Sequence, residues 1–245
     1  MRALLTPAGR AVLERFTRTR VLLGFDFDGT LAPIVSRPSA ATMRASTRGL
    51  LAEVATRYPC IVISGRARAD VETRLLGLRL RQVIGNHGAE PSRGSRGLAR
   101  LVASWRPRLE PRLRTHAGVA IEDKGYSLAI HYRHAREPRR ARAAIVAAAA
   151  ELAEVRLVGG KQVINLVPTE APDKGMALER ARAQLGCQTA LYVGDDDTDE
   201  DVFSLGQPAR LLTVRIGFSR SSQAAYYLAS QPAIDHLLGA LLANR

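Results

Sequence analysis

The 245-residue chain is 46% hydrophobic, enough to bury a sizeable core in one or two domains. Its apolar runs are too short to cross a bilayer, and residues 1–20 carry charges without an apolar leader core, so a cytoplasmic protein with no membrane partner is expected. A net charge of +13 raises nucleic-acid binding as a remote alternative, but aromatics are only 5%, basic residues are spread along the chain and no recognition motif occurs, so no specific nucleic acid is expected.

In chain order, the first informative run is Val21-Leu22-Leu23-Gly24-Phe25, which reads as a buried strand ending in Asp26-Phe27-Asp28-Gly29-Thr30. In an open parallel sheet ligands bind beyond the carboxyl ends of the strands. A carboxylate there can attack phosphorus, and a second one two residues on can move the leaving group's proton. Three further polar groups follow the same logic. Ile61-Val62-Ile63 runs into Ser64-Gly65-Arg66, suited to phosphate oxygens, although Ser64 could instead cap a helix beginning near Ala67. Lys174, one of three lysines in an arginine-rich chain, precedes a helical stretch over 176–185 and offers a point charge to phosphate, or to solvent. Leu191-Tyr192-Val193-Gly194 runs into Asp195-Asp196-Asp197-Thr198-Asp199-Glu200-Asp201, hard oxygen ligands of the kind Mg²⁺ takes. An EF-hand register fails, since counting from Asp195 puts Glu200 where Gly is needed and Gly206 where Glu is needed.

More than a hundred residues separate Ser64 from Lys174, too many for one crossover, so an inserted unit is expected. Its pattern gives a helix over 98–113, strands over 118–122 and 127–132, a helix over 138–152, and a hairpin of 155–158 with 163–167 turning at Gly159-Gly160. The arginines at 93, 96, 100, 106, 108, 112 and 114 read as a solvated face of the first helix and its flanks. Residues 1–92 and 171–245 then form the core and 93–170 the insert, with linkers near 90–94 and 168–172. Cys60 and Cys187 have no metal or redox spacing and suit reduced core thiols.

In this order and at these separations the four motifs resemble the haloacid dehalogenase superfamily of Mg²⁺-dependent phosphohydrolases. Glu122-Asp123-Lys124-Gly125-Tyr126-Ser127-Leu128-Ala129-Ile130-His131-Tyr132-Arg133, with Gly85-Asn86-His87-Gly88 and Gly194-Asp195-Asp196, is similar to the trehalose-6-phosphate phosphatase family. The resemblance implies an α/β fold: a doubly wound, mostly parallel Rossmann-like core with an inserted α+β cap of the C2 type. It implies Asp26 as nucleophile, Asp28 as general acid/base, and Ser64 and Lys174 on phosphate. Mg²⁺ would be held by Asp26, Asp195 and the main-chain carbonyl of Asp28, with Asp196 acting through water. Substrate contacts would come from Gly65, Arg66, Asn86, His87, Glu122, Lys124, His131, Arg133 and Asn165. The implied substrate is a sugar phosphate, with the synthase of the same pathway as a candidate partner.

One position departs from the family pattern Gly-Lys-x-Val-x-Glu-x-x-Pro: Gly160-Lys161-Gln162-Val163-Ile164-Asn165-Leu166-Val167-Pro168 has Asn165 at the Glu. An amide both donates and accepts, so sugar binding survives with one acidic acceptor fewer. Sucrose phosphate and glucosylglycerol phosphate are therefore alternative substrates.

Overall fold

The computed structural model describes residues 1–90, 95–160 and 162–243, with side chains undescribed at 95 and 96. The chain divides into Met1–Gly88 with Asp173–Arg245, and Ala89–Pro172. The divides thus fall after Gly88 and Pro172, against the expected 92 and 170; residues 91–94 of the first expected linker lie outside the described residues.

The first unit opens with β1 (Arg2–Ala3), α1 (Pro7–Thr17), β2 (Val21–Phe25), α2 (Ala45–Arg57), β3 (Cys60–Ile63), α3 (Arg68–Arg74) and β4 (Gln82–Ile84). The inserted unit contains α4 (Ser95–Leu113), β5 (Ala120–Asp123), β6 (Leu128–His131), α5 (Pro138–Ala149), β7 (Val155–Gly160) and β8 (Val163–Pro168). The first unit resumes with α6 (Lys174–Gln184), β9 (Thr189–Gly194), α7 (Glu200–Phe203), β10 (Leu211–Ile216), β11 (Tyr226–Leu228) and α8 (Ile234–Ala243).

The first unit's seven strands pair in parallel in the order β1-β11-β10-β9-β2-β3-β4. Every residue of β2 and β9 is buried, as a continuous apolar run covered on both faces requires. Leu23, Phe25, Leu191 and Val193 pack with residues of α1, α2 and α8 on one face, while Leu22, Ala190 and Tyr192 meet Ala177, Leu178 and Phe203 on the other. Each large apolar side chain so buried contributes about 1.5–3 kcal/mol relative to exposure. After β2 the chain winds outward through β3 and β4; after β9 it winds the opposite way through β10 and β11. The reversal lies between β2 and β9, so the ends of these neighbours, Asp26 and Asp195, share the crevice where such sheets bind ligands.

The insert's antiparallel sheet runs β5-β6-β8-β7. Leu128, Ile130, Ile164 and Leu166 pack on Val102, Trp105 and Leu109 of α4 and Ile145 of α5. Alternation sends the intervening residues to the opposite face, where register aligns Glu122 with Ala129, Ala129 with Asn165, and Asn165 with Val158. Gly159 and Gly160, expected at the turn, are instead strand residues of β7; as an edge strand it has a single ladder to maintain, which tolerates glycine.

Candidate active site

Asp26 follows β2 directly, and its N–H continues the ladder to the Val193 carbonyl at 2.9 Å. Its side chain is 5% exposed and its Oδ1 accepts from Lys174 Nζ at 3.0 Å. Lys174 is no solvated helix start: it begins α6, is 2% exposed, and also donates to Asp199 Oδ1 at 2.7 Å. Asp173 caps that helix from the Met176 N–H at 2.7 Å, which fixes where the lysine emerges.

Asp199 was not singled out in the sequence. It is fully buried, and each of its oxygens accepts twice: Oδ1 from Lys174 and the Tyr192 hydroxyl, Oδ2 from the N–H groups of Asp195 and Asp196. Two glycines admit these acids. A Cβ on Gly194 would collide with the Asp199 carboxylate, and one on Gly29, at φ +85°, with that of Asp195.

Carboxylate oxygens of Asp26, Asp195 and Asp199 lie within 4.8 Å of one another. With Asp199 fully engaged by protein donors, Asp26 and Asp195 are the pair suited to a cation. Two hard carboxylates are a donor set that fits Mg²⁺. Charge balance agrees: burial, reinforced by Asp199, Asp195 and Asp28, pushes the Asp26 carboxyl well above the usual carboxylate range despite Lys174, and a cation would oppose that shift. Lys174 itself is held protonated, because Asp199 and Asp26 outweigh the effect of its burial. Asp196 places its side chain on the Asp197 N–H at 2.8 Å, capping the following turn, and among the described residues neither it nor Asp28 joins the carboxylate cluster.

Asp28 is bound by Arg66 in a fork: Nε to Oδ2 at 2.6 Å and one terminal nitrogen to Oδ1 at 2.8 Å. Arg66, expected among the substrate ligands, is thereby placed on the Asp28 carboxylate. Ser64 is 1% exposed and accepts the Arg66 N–H at 3.2 Å, while α3 starts after Ala67 without a side-chain cap. Asn86 and His87 are buried with φ of 50° and 57°; their N–H groups bond to Arg66 and Ser64 carbonyls, and the His87 ring lies against Gly65.

In the insert, Glu122 and His131 are joined at 2.7 Å, and Lys124 Nζ lies 3.5 Å from Asn165 Oδ1. Asn165 is 4% exposed and its amide donates to the Val158 carbonyl at 3.4 Å. Glu122, His131 and Asn165 share the sheet face opposite the helices, with Lys124 reaching that same group; Arg133 is exposed beyond the end of β6. Lys161 lies outside the described residues. No helix among the described residues is long and apolar enough to cross a membrane.

The trehalose-phosphatase family model matches residues 24–232. A trehalose-phosphate phosphatase of Mycobacterium ulcerans is 35% identical over 93% of this chain, and one of Mycobacterium avium is 37% identical over 73%. The chain spans 63% and 49% of the length of those relatives. Among solved structures, the C-terminal domain of C. albicans trehalose-6-phosphate phosphatase superposes with a TM-score of 0.77 at 22% identity, covering 99% of this chain and 98% of that one. Aspergillus fumigatus trehalose-6-phosphate phosphatase gives 0.69 at 25% identity over the whole of both chains. The expected haloacid dehalogenase-type core with an α+β insert is the fold found. Because the family match runs through both halves of the parallel-sheet unit and all of the insert between them, this chain belongs to the trehalose-phosphatase family.

Proposed function

We propose that the protein hydrolyses trehalose 6-phosphate to trehalose and phosphate through an aspartyl phosphate on Asp26. The observation that carries this reading is the buried Asp26–Lys174–Asp199 cluster beside Asp195, at the switch point of a chain whose family model spans the molecule. Asp26 attacks phosphorus with the oxygen that Lys174 does not hold; the bond from phosphorus to the sugar oxygen breaks, and Asp28 gives that oxygen a proton. Water then attacks phosphorus, Asp28 takes the proton, and phosphate leaves with Asp26 restored.

Lys174 and the Ser64 hydroxyl orient and neutralise the phosphoryl oxygens. Asp26, Asp195 and the Asp28 carbonyl would hold a divalent cation, with Asp196 acting through water, and the ion would supply further charge neutralisation at the phosphoryl group. Gly65, Asn86 and His87 line the phosphate end. Glu122, Lys124, His131, Arg133 and Asn165 recognise the sugar hydroxyls.

The test is phosphate release from trehalose 6-phosphate, sucrose 6-phosphate, glucosylglycerol phosphate and glucose 6-phosphate, each with Mg²⁺ or with excess chelator. Turnover concentrated on trehalose 6-phosphate and lost with chelator supports the reading. A preference for another glycosyl phosphate reassigns the substrate, and full rates in chelator remove the metal.

A further inference from the structure

Arg66 has a set of partners that a phosphate ligand would not have. Its Nε and one terminal nitrogen hold both oxygens of Asp28, at 2.6 and 2.8 Å. The same terminal nitrogen donates to the Pro38 carbonyl at 2.8 Å, and the other donates to Asp70 Oδ2 at 2.7 Å. The guanidinium carbon lies 5.7 Å from the centroid of the Phe27 ring, the residue between the two site aspartates. Asp70, four residues on in α3, is held in turn by Arg74, which anchors to the Ser39 and Ala41 carbonyls. The side chain of Arg66 is only 13% exposed. Its fork is thus committed within the protein, and a planar bidentate pair fixes the orientation of a carboxylate as well as its position.

We propose that Arg66 is a positioning residue for Asp28: it aims the carboxylate that moves the leaving-group proton, and Asp70 aims Arg66, with no contact from Arg66 to the phosphate. The inference rests on the proposed role of Asp28 as the proton-transferring group. A chain of three side chains, Asp70 to Arg66 to Asp28, then ties the start of α3 to the loop after β2.

The experiment compares kcat/KM for trehalose 6-phosphate, whose sugar oxygen needs a proton to leave, with that for 4-nitrophenyl phosphate, whose leaving oxygen departs as an anion. Both are measured in Mg²⁺ for the parent, Arg66→Ala, Arg66→Lys, Asp70→Asn and Asp28→Asn. Proton transfer by a positioned group is worth roughly 10²–10⁴-fold, so Arg66→Ala should lose about 10- to 100-fold on the sugar phosphate and under about 3-fold on the aryl phosphate. Arg66→Lys keeps the charge without the fork and should restore little. Asp70→Asn, at a half-exposed carboxylate, should show a smaller loss with the same selectivity, which keeps the test open if Arg66→Ala folds poorly. Inhibition by inorganic phosphate should be unchanged, and Arg66→Ala should add little loss in an Asp28→Asn background.

Equal losses on both substrates with weakened phosphate inhibition would make Arg66 a phosphate ligand and overturn the proposal, as would full additivity with Asp28→Asn. If Asp28→Asn itself shows no leaving-group selectivity, the role of Asp28 fails and removes the basis of the proposal. If it does and the Arg66 variants do not, the positioning role alone fails.

Discussion

Tyr192 donates its hydroxyl to Asp199 Oδ1 at 2.8 Å, the same oxygen that accepts Lys174 at 2.7 Å. A carboxylate with four donors and no exposure is the fixed point from which the lysine is aimed at Asp26. Asp199→Asn would turn an amide N–H₂ toward donors and leave Lys174 with one carboxylate. Breaking a buried pair in this way costs about 3–5 kcal/mol. The melting temperature should therefore fall by roughly 6–20 °C, while Tyr192→Phe should lose about 1 kcal/mol. Parent-like melting of Asp199→Asn would show that the four bonds contribute little.

The proposed cation site has a readout separate from turnover. Ligand at about 100 times its Kd stabilises the folded state by roughly 2.7 kcal/mol, so saturating Mg²⁺ should raise the melting temperature of the parent. Asp195→Asn should abolish that rise. Gly29→Ala, which drives a methyl into the Asp195 carboxylate, should do likewise. An undiminished Mg²⁺ shift in Asp195→Asn would place the ion elsewhere.

Acid should affect Asp26 in the opposite sense from most paired carboxylates. Its folded-state pKa lies above the unfolded value, through burial and three neighbouring acids, so ionised Asp26 destabilises the metal-free protein at neutral pH. That penalty is relieved as pH falls through the raised pKa toward about 3.9, the unfolded value. In chelator at pH 7, Asp26→Asn should lose less stability than Asp199→Asn, because the charge it removes is itself penalised by burial although Lys174 loses a partner, and the parent should gain on Asp26→Asn as pH falls. A parent that loses ground to Asp26→Asn as pH falls would reverse the sign of the shift.

Sugar recognition should separate from phosphoryl chemistry. Each hydrogen bond to a charged group is worth about 1.5–3 kcal/mol, so Glu122→Ala and Lys124→Ala should each lose on the order of 10- to 150-fold in kcat/KM on trehalose 6-phosphate. On an aryl phosphate they should change little. Equal losses on both substrates would assign these residues to folding or chemistry. Asn165→Glu supplies Lys124 with a carboxylate in place of its present amide partner; improved turnover would indicate a weakened sugar site, and a clear loss a site fitted to the amide.

The parallel core was legible because β2, β3 and β9 are apolar runs closed by polar bursts, which is what a doubly covered strand and its crevice end look like. Lys174 and Asp195 stood out by composition and by place. Asp199 did not: six acids crowd 195–201, and only the turn that folds position 199 back under the Asp195 and Asp196 N–H groups distinguishes it. Arg66 was legible as part of the site but not in its contact, since its fork fits a phosphate or a carboxylate equally and the nearness of Asp28 depends on two separate loops. The glycine pair at 159–160 looked like a turn because periodicity does not report that a strand lies at a sheet edge.

The central claim is that Asp26 carries the phosphoryl group during hydrolysis of trehalose 6-phosphate. Acid quenching during steady-state turnover, followed by mass spectrometry of the peptide that contains Asp26, tests it most directly. The expected result is one phosphoryl group on Asp26 in the parent and none in Asp26→Asn, which also lacks turnover; with 4-nitrophenyl phosphate, whose leaving oxygen needs no proton, Asp28→Asn should enrich it because water is no longer activated. Phosphate release by Asp26→Asn protein free of deamidation, or a phosphoryl group trapped on another residue, would contradict the account.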